Sequence, residues 1–454
     1  MTHHGRIDTM RMADTTGAAG STVTETDPRL TGSLPDWVRH GIFWHVYPLG
    51  FCGCDIRPRG PREFHGRGLD ALIPWLGYAR DMGVSGLLLG PIFESDTHGY
   101  DTLDHMHVDV RLGGDRAFDA LADACRDMGL SIVLDGVFNH VSRNHPAVRA
   151  AIDEASGSLS PDDEPWRGLV RARLDAAGAP VLDVFEGHDR LVDLDHDSPA
   201  TVDYVTRVMN HWLDRGASGW RLDAAYAVPT GFWEKVLPRV RQAHPYTWIF
   251  GEVIHGDYPA IVERSTMDAV TQYELWKSIQ HALETDNFFE LDWNLTRHNA
   301  FLDAFVPQTF IGNHDVTRIA SQIGADKAAL ALAVLMTVGG VPSIYYGDEQ
   351  GYVGVKREVL GGDDDIRPKF PDFPDELSRL GEPVYRLHQA LIALRRRNPW
   401  LLDARTEKVL LENRRFVYRS IATDGSDRLT VELDIESKPS FEIQDASGTV
   451  LYRY

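Results

Sequence analysis

VSGLLLGPI, residues 84–92, is an apolar run that hardly alternates, and SIVLDGV, residues 131–137, is a second of the same kind. Between them, residues 118–128 space their apolar side chains by three and four, the period of an amphipathic helix. Two strands buried on both faces with a helix between them form one parallel β/α unit. Upstream, residues 43–48 read as a strand and 69–82 as a helix, with Leu69, Leu72, Trp75, Leu76 and Ala79 on one face. Downstream the alternation resumes after a gap. Helices are predicted over 201–213, 232–242, 326–338 and 384–397. Strands are predicted over 219–224, 247–253, 267–273, with a helical stretch behind it, 308–312 and 342–347. Eight strand signals, each followed by a helix, favour a closed (β/α)8 barrel over an open sheet.

The flanks and the gap differ in character. Residues 1–35 are rich in Thr, Ala, Gly, Ser and Asp and are read as a flexible arm. The polar stretch 141–190 is too long for an ordinary connection and is read as an inserted domain, which divides the barrel into 36–140 and 191–400. Beyond Pro399 the pattern is strand-like without helices, so 401–454 is expected to form a small β domain.

The 454 residues carry 67 Asp and Glu against 46 Lys and Arg, a formal charge of −21, which argues against nucleic acid as a partner. Cys52, Cys54 and Cys125 cannot build a disulfide framework and read as free thiols of a reducing compartment. No stretch approaches the ~18 apolar residues of a membrane span, and the first thirty residues hold no apolar core of a leader. A soluble, cytoplasmic protein acting on a neutral ligand such as a sugar is the expectation.

Barrel active sites assemble at the C-terminal ends of the strands. Four such ends carry acid or base residues in apolar settings: DGVFNH with Asp135, Asn139 and His140; GWRLDAA with Arg221 and Asp223; IFGEVIH with Glu252; and FIGNHD with His314 and Asp315. Buried carboxylates need partners. Arg221 and Asp223, two apart on a strand, face the same side, so the guanidinium is placed to hold Asp223 ionised, and Glu252 ends the next strand. An ionised carboxylate beside an arginine, with a second carboxyl raised by that charge, suits glycoside cleavage.

In order and context these segments closely resemble the four main motifs of the α-amylase family of retaining glycoside hydrolases. GPIFES, HGYDTLD, LVDLDHDSPA and GVPSIYYGDE resemble its accessory motifs, so the likeness runs from about residue 43 to 399. The resemblance implies that Asp223 is the nucleophile, Glu252 the general acid/base and Asp315 the third carboxylate, with Arg221 orienting Asp223. It implies that His140 and His314 bond sugar hydroxyls, that Tyr100 stacks on the sugar, and that Asp363 and Arg367 of GGDDDIR hold its non-reducing side. Asp135 is read as a structural member of the network. The family needs no cofactor for the reaction; Asn139 and Asp193 match positions that bind calcium in many members, which leaves that ion open.

Some residues have ordinary readings. His98 and Asp104 serve either the site or only their own loop, and Trp166 and Trp293 are expected to pack rather than to carry sugar. Trp220, HGYDTLDH and GEVIHGD resemble the cyclomaltodextrinase, neopullulanase and maltogenic amylase subgroup. The short N-terminal arm, the form of LVDLDHD and the small C-terminal domain depart from it. The expected function is retaining hydrolysis of α-1,4 bonds, with α-1,6 left open, in linear or cyclic maltooligosaccharides by a monomer or homodimer. A glucosyl or glucanosyl transferase, or a disaccharide-forming isomerase, would use the same residues. A non-catalytic binding subunit fits poorly, because no carboxylate of the set is missing.

Overall fold

The computed structural model describes residues 34–58, 60 and 67–454. The arm expected over 1–35 lies outside the described residues except for its last two. Eight parallel strands form one sheet: β1 (Phe43–Val46), β2 (Gly86–Leu89), β3 (Ser131–Gly136), β4 (Gly219–Leu222), β5 (Trp248–Gly251), β6 (Ala269–Val270), β7 (Gln308–Phe310) and β8 (Val341–Tyr345). Their order is 6-5-4-3-2-1-8-7, and a parallel bridge between Thr271 and Gln308 joins β6 to β7 and closes the ring. The fold is a (β/α)8 barrel.

Strand period sets what faces inward. In β4, Trp220 and Leu222 point outward, and Trp220 is fully buried with its ring 5.7 Å from Phe138 and 6.2 Å from Phe93. Arg221, between them, must therefore face the interior. Gly219 is needed for close approach, since a Cβ there would come within 2.4 Å of the Trp248 carbonyl oxygen. The helix Ala325–Thr337 is apolar on nearly all sides and is buried between the barrel and the C-terminal sheet.

Two elements differ from the sequence expectation. The stretch 69–82 is not one α-helix: Leu69–Trp75 is 3-10 and only Leu76–Met82 is α, because Pro74 lacks the N–H that a continuous α ladder needs. The sixth strand is cut to Ala269–Val270. The Gln272 side chain accepts from the Leu275 N–H and caps a helix, so Tyr273 opens Tyr273–Glu284 instead of ending a strand.

Between β3 and β4 the chain makes a strand, His140–Ser142, a helix, Pro146–Ser156, and a short hairpin, and returns through Leu191–Asp193, which pairs antiparallel with His140–Ser142. The last fifty residues form a five-stranded antiparallel meander from Arg405–Leu411 to Val450–Arg453. It docks on the barrel helices through Asn299 to Thr406 and Thr337 to Tyr418. Among the described residues no helix is long and apolar enough to cross a membrane.

Candidate active site

The barrel ladder continues past the strand ends and fixes the backbone there. The Asp223 N–H donates to Gly136 O at 3.0 Å, and the Glu252 N–H to Leu222 O at 2.8 Å. In register, Arg221 stands beside Asp135 of β3 and Phe250 of β5. Its guanidinium spans three carboxylates: Nη1 lies 2.6 and 2.7 Å from the Asp135 oxygens and 3.2 Å from Asp223 Oδ1, and Nη2 lies 2.8 Å from Glu252 Oε1. All four side chains are buried.

The Arg221–Asp223 pair read from the sequence is present, and the same guanidinium also holds Asp135 and Glu252. One cation serves three anions and sits closest to Asp135 and Glu252. Burial pushes the Asp223 carboxyl well above the usual range, the Glu252 charge adds to this, and Arg221 only partly opposes it. Asp135 is likewise raised by burial against the pull of Arg221. Asp315 goes the other way: burial would raise it, but His314, Arg367 and Arg221 hold it well below the ordinary value.

Asp315 is held from two sides. Arg367 Nη2 is 3.0 Å from its Oδ1 and His314 Nε2 is 3.0 Å from its Oδ2. Arg367 also reaches Asp363 at 3.1 Å, donates Nε to the His314 carbonyl and lies over the Tyr47 ring at 4.6 Å. Tyr100 donates to Asp135 Oδ2 at 3.0 Å and makes a second short contact with His314 Nε2, with the two rings parallel at 5.3 Å. His140 Nε2 donates to the Tyr100 carbonyl, and burial lowers its pKa to about 4, so it stays neutral. The nine catalytic and sugar-binding candidates of the sequence are thus drawn into one connected cluster at one end of the barrel.

The geometry adds residues that the sequence reading passed over. His45 and Tyr47, at the end of β1, pack against the His314 ring at 5.1 and 6.1 Å. Tyr273 donates to Glu252 Oε1 at 3.0 Å, and the Ala224 N–H to Oε2 at 3.0 Å. Ala224 is left-handed, at φ 45°, a strained setting for a residue with a side chain, and it follows Asp223 directly. A histidine inside the otherwise apolar strand Phe43–Val46 was the available signal for His45.

Comparison with known proteins follows the same lines. The alpha amylase catalytic-domain model matches residues 46–168 and 182–379. The chain belongs to the alpha-amylase family of glycosidases. Within this family it is 30% identical over 387 residues to a cyclomaltodextrinase of Bacillus sp, covering 80% of this chain and 68% of that one. It is 28% identical over 390 residues to a maltogenic alpha-amylase of Bacillus acidopullulyticus, covering 81% and 64%. The chain thus spans about two thirds of the length of these curated relatives. Among solved structures, an acarbose-soaked debranching enzyme of Nostoc punctiforme superposes with a TM-score of 0.75 at 25% identity, over 92% of this chain and 95% of that one. A cyclic α-maltosyl-(1→6)-maltose hydrolase of Arthrobacter globiformis shares the fold at TM-score 0.75 and 24% identity, over 88% and 92%.

The remaining candidates of this alpha-amylase family member fall into place around the cluster. A cavity of about 880 Å³ is lined by Asp96, Thr97, His98 and Asp101 on one side and by residues 188–191 on the other. Its wall does not include the three carboxylates; His98 connects it to the cluster, accepting from the Tyr100 N–H at 3.3 Å. Among the described residues the Asp104 side chain bonds within its own loop, to Met106 and His107. Of the acid run, only Asp363 meets Arg367, while Asp364 and Asp365 pair with Arg57 and Arg357. Trp166 packs edge-on against His145 and Tyr204 as expected. Trp293 does not pack: it is 63% exposed, on the outer face of the helix Phe289–Leu302.

The calcium reading finds little support in the donors. Pairing of His140 with Asp193 brings Asn139 near Asp193, whose Oδ1 is buried without a hydrogen-bond partner. The Asn139 side-chain nitrogen faces His140 Nδ1 at 3.2 Å, and the Asn139 backbone carbonyl accepts from the Leu194 N–H. Calcium takes six to eight oxygens. Among the described residues no group of three or more His, Cys, Asp or Glu gathers to hold an ion.

Proposed function

We propose that the chain is a retaining glycosidase that cleaves α-glucosidic bonds, mainly α-1,4, in linear or cyclic maltooligosaccharides. The observation that carries this reading is the convergence of Asp223 and Glu252 on the two nitrogens of one buried guanidinium, with Asp315 in the same cluster. Two carboxylates held on one fork are close together, which favours the retaining arrangement over the wider inverting one.

In this mechanism the Asp223 carboxylate attacks the anomeric carbon as the glycosidic C–O bond breaks, and the Glu252 proton passes to the departing oxygen. A water then attacks the glycosyl–enzyme ester, giving its proton to Glu252 and freeing Asp223. Asp315, kept ionised by Arg367 and His314, faces the positive charge that develops on the sugar. His140, His314, Tyr100, Asp363 and Arg367 bind the sugar at this centre. The segment 141–190 and the tail 401–454 are proposed as separate domains framing the barrel.

The relatives support the substrate class, since those named above are a cyclomaltodextrinase and a maltogenic alpha-amylase. The test is incubation with maltotriose, maltotetraose and a cyclodextrin, followed by NMR of the first product formed. Release of the α anomer is expected. No reducing-sugar release refutes the activity, a β product refutes retention, and longer or rearranged sugars assign a transferase.

A further inference from the structure

Glu252 is surrounded by hydrogen bonds whose direction is fixed, and they form a chain back to Asp315. The Asp315 N–H donates to Asn313 Oδ1 at 2.9 Å, which turns the Asn313 amide nitrogen toward Tyr273. That nitrogen donates to the Tyr273 oxygen at 2.9 Å. An amide NH2 cannot accept, so the Tyr273 proton is free to point only at its other partner, Glu252 Oε1, 3.0 Å away. Tyr273 and Asn313 are both buried, and the Tyr273 ring is wedged edge-on against Phe310 at 4.9 Å and Trp276 at 5.8 Å.

The two oxygens of Glu252 are therefore not equivalent. Oε1 accepts from Tyr273 and faces the Arg221 charge, with Nη2 at 2.8 Å in an ion pair, so it is engaged from two sides. Oε2 accepts only from the Ala224 N–H at 3.0 Å, which leaves one lone pair open. Resting on the glycosidase reading, we infer that Tyr273, oriented by Asn313, is a positioning residue that, together with the Arg221 charge, keeps the proton off Oε1 of Glu252, so that proton transfer to and from the substrate runs through Oε2. Without the Tyr273 hydroxyl, the proton can settle on Oε1 beside Arg221, turned away from the glycosidic oxygen. Asn313 of the IGNHD segment thereby gains a role: it couples the Asp315 backbone to the acid/base carboxyl.

The test compares two substrates that differ in their need for an acid. Maltotetraose loses a sugar alkoxide that must be protonated; α-maltosyl fluoride loses fluoride, which needs no protonated carboxyl to leave. Tyr273→Phe keeps the ring and removes the hydroxyl. Asn313→Asp keeps the acceptor for the Asp315 N–H but offers Tyr273 a carboxylate, drawing its proton from Glu252. For each variant, kcat on maltotetraose is expected to fall about ten- to a hundredfold, with the first-turnover release of fluoride from α-maltosyl fluoride within about threefold of wild type. Equal losses on both substrates, or no loss on either, overturn the inference. If Tyr273→Phe fails to fold, as read from its thermal midpoint, Asn313→Asp decides by the same criterion. A wild type inactive on both substrates refutes the glycosidase reading itself; a wild type active on both, with symmetric losses in the variants, refutes only the role of Tyr273.

Discussion

Tyr226 donates a 2.9 Å hydrogen bond to Glu186, and so ties the segment between β3 and β4 to the turn that follows Asp223. The neighbouring Phe185 stacks on His140, with ring centres 4.7 Å apart. The Phe185–Gly187 tip thus touches both sides of the carboxylate cluster, and Glu186 takes a left-handed conformation, at φ 48°, to do so.

That contact sets the first expectation. Glu186→Gly relieves the backbone while removing the acceptor, and Tyr226→Phe removes the donor. A hydrogen bond of this kind contributes about 0.5–1.5 kcal/mol. Both variants are therefore expected to raise KM for maltotriose about two- to tenfold and to leave kcat nearly unchanged. Steady-state kinetics on the two variants checks this, and a loss confined to kcat would place the contact in the chemistry instead of in binding.

Asp223→Asn should trade activity for stability. Loss of the nucleophile is expected to cut kcat at least ~10³-fold. Asp223 is raised by burial and by Glu252, so its ionised form is a burden on the folded state. The sign follows from linkage: stability from a raised carboxyl is complete below its unfolded pKa and is lost as pH climbs through the folded one. The variant is therefore expected to be more stable than wild type by about 1 kcal/mol near neutral pH, with the gain shrinking in acid. Urea titrations at both pH values measure it.

How far the sequence could be read depended on the range of the forces involved. The period of VSGLLLGPI and SIVLDGV is local, and it located the strands to within a few residues. The acids at strand ends stood out because carboxylates in apolar runs need partners. Which partner each one takes is a matter of three dimensions. Nothing in GWRLDAA says that Arg221 would lie nearer to Asp135, 86 residues away, than to Asp223. Tyr273 was hidden for a different reason: continuing the apolar run through 267–273 made it a strand residue, whereas the Gln272 cap makes it the first residue of a helix directed at Glu252.

Glu349 should make stability depend on pH from outside the site. It is fully buried and accepts from Tyr78, the Gly347 N–H and Trp44, and burial raises its pKa from 4.5 to about 7. Its contribution is complete below about 4.5 and is lost as pH rises through about 7, a span worth up to about 3 kcal/mol. Glu349→Gln cannot ionise. Wild type is expected to lose stability relative to this variant between about pH 5 and about pH 8, measured by urea unfolding; parallel profiles would refute the assignment.

Arg318 supports the Arg367 side of the cluster from behind. Its guanidinium bonds Asp348 Oδ1 at 2.8 Å and the Ile366 carbonyl at 2.9 Å, lies over the Tyr345 ring at 4.6 Å, and is almost wholly buried. Ile366 is followed by Arg367, which grips Asp315, so one buried cation holds the backbone from which the other reaches the site. Gly312 makes room for the pair, since a Cβ there would come within 2.6 Å of Asp348 Oδ2. Arg318→Met leaves Asp348 buried without its cation and is expected to cost about 3–5 kcal/mol. Replacing both partners, Arg318→Met with Asp348→Leu, removes the stranded charge and should recover much of that loss. The double variant should nevertheless keep a lowered kcat, because the Ile366 carbonyl has lost the guanidinium that fixed the Arg367 backbone. Thermal unfolding and kcat measured on the single and double variants separate the two effects: stability is expected to return while turnover does not, and recovery of both would confine Arg318 to the fold.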